Sequence, residues 1–127
     1  MAWSTEELAR LARAEELHLA ALRADGTLAR PLPVWVVQID RTAYVRTWHR
    51  RDTGWFGHVL RSGRAHVRVP GVERDAIVTD VGRDDGGLRA RIDAAYRVKY
   101  GQYGAATVDR MTGDEAAAAT LRLDASS

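Results

Sequence analysis

The hydrophobic pattern changes period several times along the chain. Leu8, Leu11 and Ala12 repeat at helical spacing behind Ser4-Thr5-Glu6-Glu7. Those four residues form a capping box, with Ser4 as N-cap and Glu7 reaching back from the third helical position. An amphipathic helix is therefore predicted over 5–14. Glu16-Leu17-His18-Leu19-Ala20-Ala21-Leu22 starts by alternating like a strand, although Glu, Leu and Ala favour helix. Asp25-Gly26 marks a turn. The clearest β signal is Val34-Trp35-Val36-Val37-Gln38-Ile39, with Pro31 and Pro33 confined to its approach, where a missing N–H is tolerated. Asp40-Arg41 then turns the chain into Thr42-Ala43-Tyr44-Val45-Arg46-Thr47-Trp48, and the two segments read as a hairpin.

The second half alternates less regularly. Arg50 to Gly54 is a polar loop, and Trp55-Phe56-Gly57-His58-Val59-Leu60-Arg61 reads as a short helix ended by Ser62-Gly63. Ala65-His66-Val67-Arg68-Val69 alternates strictly and stops at Pro70-Gly71, and the β pattern resumes over 73–81. Leu88, Ile92, Ala95, Tyr96 and Lys99 fall on one helical face, with Gly101 as the expected left-handed residue beyond its end. A further short helix is predicted near 107–111, and Thr120-Leu121-Arg122-Leu123-Asp124 forms a last strand. About six strands, mostly joined by tight turns, imply a mainly β (α+β) fold. This is a small six-stranded antiparallel barrel with an N-terminal helix and short helices in its connections. Open strand edges in such a barrel are commonly covered by a second copy, so a homodimer is expected.

Composition narrows the function classes. At 127 residues the chain has the length of a single domain, divided into an N-terminal helix (1–14), a barrel (16–124) and a tail (125–127). It contains no cysteine, which removes disulfides, thiolate metal sites and a cysteine nucleophile. No apolar run approaches the roughly 18–20 residues of a membrane span. The acidic start Met1-Ala2-Trp3-Ser4-Thr5-Glu6-Glu7 is not a secretory signal, so the expected location is cytoplasmic. Of the 19 basic residues 18 are arginine, yet the net charge is only +2, and acidic residues are interspersed almost one for one. Nucleic-acid binding, which needs an unbalanced basic face, is not expected. The four histidines, His18, His49, His58 and His66, lack metal-site spacing, and no metal is expected. His58 and His66 read as partly buried structural residues.

Four segments carry a resemblance when taken in order. They are Arg30-Pro31-Leu32-Pro33-Val34-Trp35-Val36-Val37, Ala43-Tyr44-Val45-Arg46-Thr47-Trp48, Trp55-Phe56-Gly57-His58-Val59-Leu60-Arg61 and His66-Val67-Arg68-Val69. With Ala94-Ala95-Tyr96-Arg97-Val98-Lys99-Tyr100-Gly101 and the closing Thr120-Leu121-Arg122-Leu123, the chain resembles the flavin- and deazaflavin-binding split β-barrel superfamily. It is similar to the deazaflavin-dependent nitroreductases and to a bacterial family of uncharacterised split-barrel proteins. The resemblance implies a split barrel holding coenzyme F-420 or FMN, with the cofactor's phosphate tail against a strand end and the loop that follows. Arg46, His49, Arg50 and Arg51 would grip that tail, since guanidinium groups bind phosphate bidentately. Trp48 and Trp55 would border the ring. Tyr96 or Tyr100 would act catalytically, polarising a small conjugated or nitro-substituted acceptor during hydride transfer.

The residues also support other readings. An arginine-rich hairpin end is more often a solvated rim, and a buried tyrosine more often serves a backbone carbonyl. Trp48-His49-Arg50-Arg51-Asp52 has no glycine before Gly54. This favours the alternative of a cofactor-free barrel that binds a small hydrophobic ligand, acts as a dimeric accessory protein or catalyses a non-redox step. Trp35 reads as core. The resemblance to the nitroreductase-like branch implies that the N-terminal helix carrying Trp3 folds over the substrate; Trp3 reads equally as a dimer contact or as part of a disordered end. Lys99, the sole lysine, is expected to pair with Asp93 or Asp109.

Overall fold

β-branched and aliphatic residues at alternate positions give each strand one face to bury, and tight two-residue turns keep neighbouring strands antiparallel. A computed structural model of the chain describes residues 3–23, 25–46, 54–82 and 87–126. Its strands are β1 (Leu17–Ala21), β2 (Leu32–Val34), β3 (Val36–Ile39), β4 (Thr42–Arg46), β5 (Arg64–Val69), β6 (Val72–Asp80) and β7 (Thr120–Ala125). Its helices are α1 (Thr5–Arg13), α2 (Gly54–Ser62), α3 (Leu88–Tyr100), α4 (Ala105–Thr112) and α5 (Asp114–Ala118). All strand pairs are antiparallel, in the order β2-β1-β5-β6-β7-β4-β3. The two ends of that order, β2 and β3, are consecutive in sequence and separated only by Trp35. One chain segment thus pairs first with β1 and then with β4, and the sheet curls into a nearly closed split barrel.

This bend corrects the expected strand count from six to seven. The single strand foreseen over 34–39 is two, because Trp35 leaves one ladder before Val36 joins the other. The Glu16–Leu22 ambiguity resolves as strand: Leu17, Leu19 and Ala21 enter the barrel interior, a gain that outweighs their helical propensity. Gly101 is not a left-handed cap. It stays right-handed at φ −57° and continues into a 3-10 turn over Gly101–Tyr103, and the chain reverses at Gly104, at φ 102°. Helix α5 escaped notice because Asp114-Glu115-Ala116-Ala117-Ala118 is too short for a period to show.

Two apolar clusters stabilise the molecule. The first fills the barrel with Leu17, Leu19, Val36, Val45, Val67, Leu121 and Leu123. It is closed by Leu8 and Leu11 of α1 and by Phe56 and Val59 of α2. The capping box of α1 forms as expected, with Ser4 Oγ accepting from the Glu7 N–H at 3.0 Å and Glu7 Oε1 from the Ser4 N–H at 2.8 Å. Trp3 precedes the helix and is a core residue rather than a flap. It is buried, and its indole N–H donates to the Leu123 carbonyl at 2.9 Å. The second cluster lies outside the barrel wall, where Val37, Ile39 and Tyr44 meet Ile92, Tyr96 and Tyr100 of α3 and Val108 and Met111 of α4.

Candidate functional site

Where a strand leaves one ladder for another, some of its backbone groups lose their partners and must find others. At the β2–β3 bend those partners come from α3. Helical spacing puts Tyr96, Lys99 and Tyr100 on one face. The Tyr96 hydroxyl donates to the Trp35 carbonyl at 3.0 Å. The Tyr100 hydroxyl accepts from the Val36 N–H at 3.1 Å and lies 2.7 Å from the Glu15 carbonyl, to which it donates. Lys99 Nζ donates to the carbonyls of Val36 at 2.6 Å and Leu11 at 3.1 Å. Trp35 stacks on Tyr100 with centroids 4.1 Å apart and planes 3° from parallel. Trp35 is thus half-buried against α3 rather than inside the barrel.

Tyr96 and Tyr100 are 0% and 1% exposed, and burial drives both phenols well above their ordinary range. Their hydroxyls are engaged by backbone, in place of the free phenols expected beside an acceptor. Lys99 pairs with neither Asp93 nor Asp109, which are taken by Arg46 and Arg97. Burial without a carboxylate partner lowers its ammonium from 10.5 to about 8.

Arg46 occupies the end of β4, on the strand face shared with Tyr44, as alternation foresaw. That face lies under α3 and α4 rather than along an open groove. The guanidinium pairs with Asp93, donates to Thr120 Oγ1 at 2.8 Å and donates to the Met111 carbonyl at 2.9 Å. Its side chain has no solvent exposure, and its carbon sits 5.6 Å from the centre of the Tyr96 ring. One nitrogen, Nη2, makes no hydrogen bond; among the described residues it is the only such buried side-chain nitrogen or oxygen. Arg46 is thus a pin joining β4, β7, α3 and α4. Asp93 extends it to Arg89, which also reaches Asp114 and the Thr112 carbonyl. Sequence reasoning missed this node, although a carboxylate on the inner face of α3 was a usable sign of it.

Trp48, His49, Arg50 and Arg51 lie outside the described residues. Trp55 belongs to the first turn of α2, and its side chain also lies outside them. His58 is exposed rather than partly buried, 3.5 Å from an Arg61 nitrogen. His66 is half-buried, as expected, between Asp75 at 2.8 Å and Glu73 at 2.9 Å. Burial alone would lower its pKa, but the two carboxylates outweigh that and raise it. Among the described residues no group of three metal-ligating side chains converges, and no helix is long and apolar enough to cross a membrane.

Similar solved structures place the chain in the split-barrel fold. The HutZ heme storage protein of Vibrio cholerae superposes with a TM-score of 0.71 at 15% identity, covering 100% of this chain and 92% of its own. A FAD-binding protein of Mesorhizobium loti gives 0.61 at 18% identity, covering 100% and 93%. An F-420 reductase gives 0.52 at 14% identity, covering 94% and 92%. No curated protein sequence matches the chain. At the sequence level, residues 7–123 match one bacterial family across nearly the whole barrel, and the chain belongs to that family, described as uncharacterized protein conserved in bacteria (DUF2255).

Proposed function

We propose that this protein binds a flat, phosphate-bearing redox cofactor, coenzyme F-420 or FMN, and passes hydride to a small conjugated or nitro-substituted acceptor in the cytoplasm. The observation that carries this reading is the likeness of the whole chain to a FAD-binding split barrel. The donor chemistry between β4 and α2 agrees with it. His49, Arg50 and Arg51 are donors suited to phosphate oxygens, and Trp48 and Trp55 offer indole surface for a ring. Arg46 does not fit the phosphate role: it is sealed from solvent and neutralised by Asp93. Its part is to fix the end of β4, from which the 47–53 segment departs. When bound, the cofactor supplies the hydride chemistry, and the protein supplies grip, orientation and shielding.

The test is a titration of the purified protein with F-420 and with FMN, followed by absorbance and fluorescence. A saturable spectral change with either one supports the proposal; no change with both overturns it. One observation favours a second reading, a cofactor-free barrel binding a small hydrophobic ligand or serving as a dimeric accessory protein. Every described residue expected to do chemistry, Arg46, Tyr96 and Tyr100, is already committed to the framework. Failure of both titrations would select it.

A further inference from the structure

An open groove of about 710 Å³ lies between the link from α1 to β1 and the turn joining β5 to β6. Arg13, His18 and Arg68 line it together with Glu15, Glu16 and Glu73, so its charges are mixed and favour a ligand of neither sign. The seam under α3 is different. There one amine, Lys99, stands among backbone carbonyls and aromatic rings, and among the described residues it forms no ion pair.

Lys99 is the sole lysine of a chain whose other 18 basic residues are arginine. The two side chains differ chemically: a guanidinium stays protonated, whereas a buried lysine gives up its proton and becomes a nucleophile. A neutral amine has two N–H bonds and one lone pair. The Val36 carbonyl at 2.6 Å and the Leu11 carbonyl at 3.1 Å supply an acceptor for each N–H. The third proton of an ammonium meets only the Tyr100 ring, whose centre is 5.2 Å from Nζ. Ring and carbonyls all attract the cation, but burial outweighs them and holds the amine at about 8.

The titratable neighbours do not reverse this balance. Tyr96 and Tyr100 of α3 are phenols that burial keeps protonated, and β3 carries no titratable side chain. On the α1–β1 link, Glu15 is bonded to Tyr103, and neither it nor Glu16 pairs with the lysine. Lys99 is also not sealed: it is partly exposed, whereas Tyr96 and Tyr100 are buried. At pH 7 an amine of pKa about 8 is about one-tenth neutral, roughly 300-fold more than at the ordinary 10.5.

We propose that Lys99 is a covalent capture site for a small aldehyde, held as an imine on Nζ. The lone pair adds to the carbonyl carbon and forms the C–N bond. One amine proton passes to the carbonyl oxygen, the second leaves with that oxygen as water, and the C=N bond closes. The exchange needs neither oxidant nor reductant. Protonation of the imine restores one N–H, which keeps the shorter bond to Val36 while the Leu11 carbonyl loses its donor. Lys99 has no part in the cofactor assignment, so this proposal stands apart from the redox reading.

The probe is glycolaldehyde, added to the intact protein at pH 7 with cyanoborohydride to fix any imine as a secondary amine. Peptide mass spectrometry separates Lys99 from the terminal amine, and Nα-acetyl-lysine amide in the same tube gives the rate of an ordinary lysine. Lys99 is expected to be labelled at least about tenfold faster than that amide, the remainder of the advantage being lost to restricted access. In guanidinium chloride, where the seam is dismantled, its rate should fall to that of the amide. The proposal is overturned if folded Lys99 is labelled no faster than the amide, or if unfolding leaves its rate unchanged or raises it. The comparison needs no substitution, so it does not depend on a variant that folds.

Discussion

The seam under α3 and the groove beside β1 and β5 both carry polar side chains and use them in different ways. At the seam, Tyr96, Lys99 and Tyr100 spend their polar atoms on backbone groups, those of Trp35 and Val36 where the sheet changes partner and those of Leu11 and Glu15 in and just after the last turn of α1. In the groove, His18 and Arg68 sit opposite each other on a paired ladder and Arg13 ends α1, and among the described residues none of the three side chains makes a hydrogen bond or ion pair. The difference lies in the backbone beneath. Where a strand changes partner its backbone groups claim nearby side chains, whereas an intact ladder makes no such demand.

The sharpest way to break this contrast is to remove the pin at the end of β4. Arg46→Ala should leave the Met111 carbonyl without its donor and Asp93 with Arg89 as its remaining partner, and cost about 3–5 kcal/mol, read by urea denaturation. A loss below about 1 kcal/mol would mean that Arg46 is not a framework residue. Next in size is Tyr100→Phe, which leaves the Val36 N–H and the Glu15 carbonyl without their partner. It should cost about 1–3 kcal/mol in the same assay.

Two pH effects follow, and they run in opposite directions. Lys99 is held at about 8 in the folded chain against an ordinary value of 10.5. Between those limits the unfolded chain binds more protons, so the lysine's contribution to stability rises with pH. Lys99→Met should flatten that rise in denaturation curves recorded across the window. His66 has its pKa raised above 6.5 by Asp75 and Glu73. Its stabilising contribution is full below 6.5 and is lost as pH climbs through the folded midpoint. An NMR titration of its ring protons should place that midpoint above 6.5, and Asp75→Asn should lower it. This is the smallest of the four effects because the cluster is partly solvated.

Much of the scaffold was legible along the chain. The capping box at Ser4 and Glu7, the Asp40-Arg41 and Pro70-Gly71 turns and the α3 face all depend on residues a few positions apart, and all appear as read. The bend at Trp35 was not legible, because an unbroken run of β-branched residues does not show where it changes partner. The roles of Tyr96 and Tyr100 were half legible. Their shared face followed from a spacing of four, but their targets are carbonyls 61 and 85 positions away. Arg46 was placed on the correct strand face. What covers that face depends on α3 and α4, whose packing no local pattern encodes. The groove went unnoticed for the same reason: it joins 13–18 to 68–73.

The most direct test of the account is a crossed measurement of thermal stability and cofactor affinity in two variants, Tyr100→Phe and Arg50→Ala with Arg51→Ala. The account predicts that Tyr100→Phe lowers the melting temperature and leaves F-420 or FMN affinity unchanged. It predicts that the arginine pair weakens affinity by about tenfold or more while the melting temperature holds. The reverse result, affinity lost with the tyrosine and retained without the arginines, would contradict it.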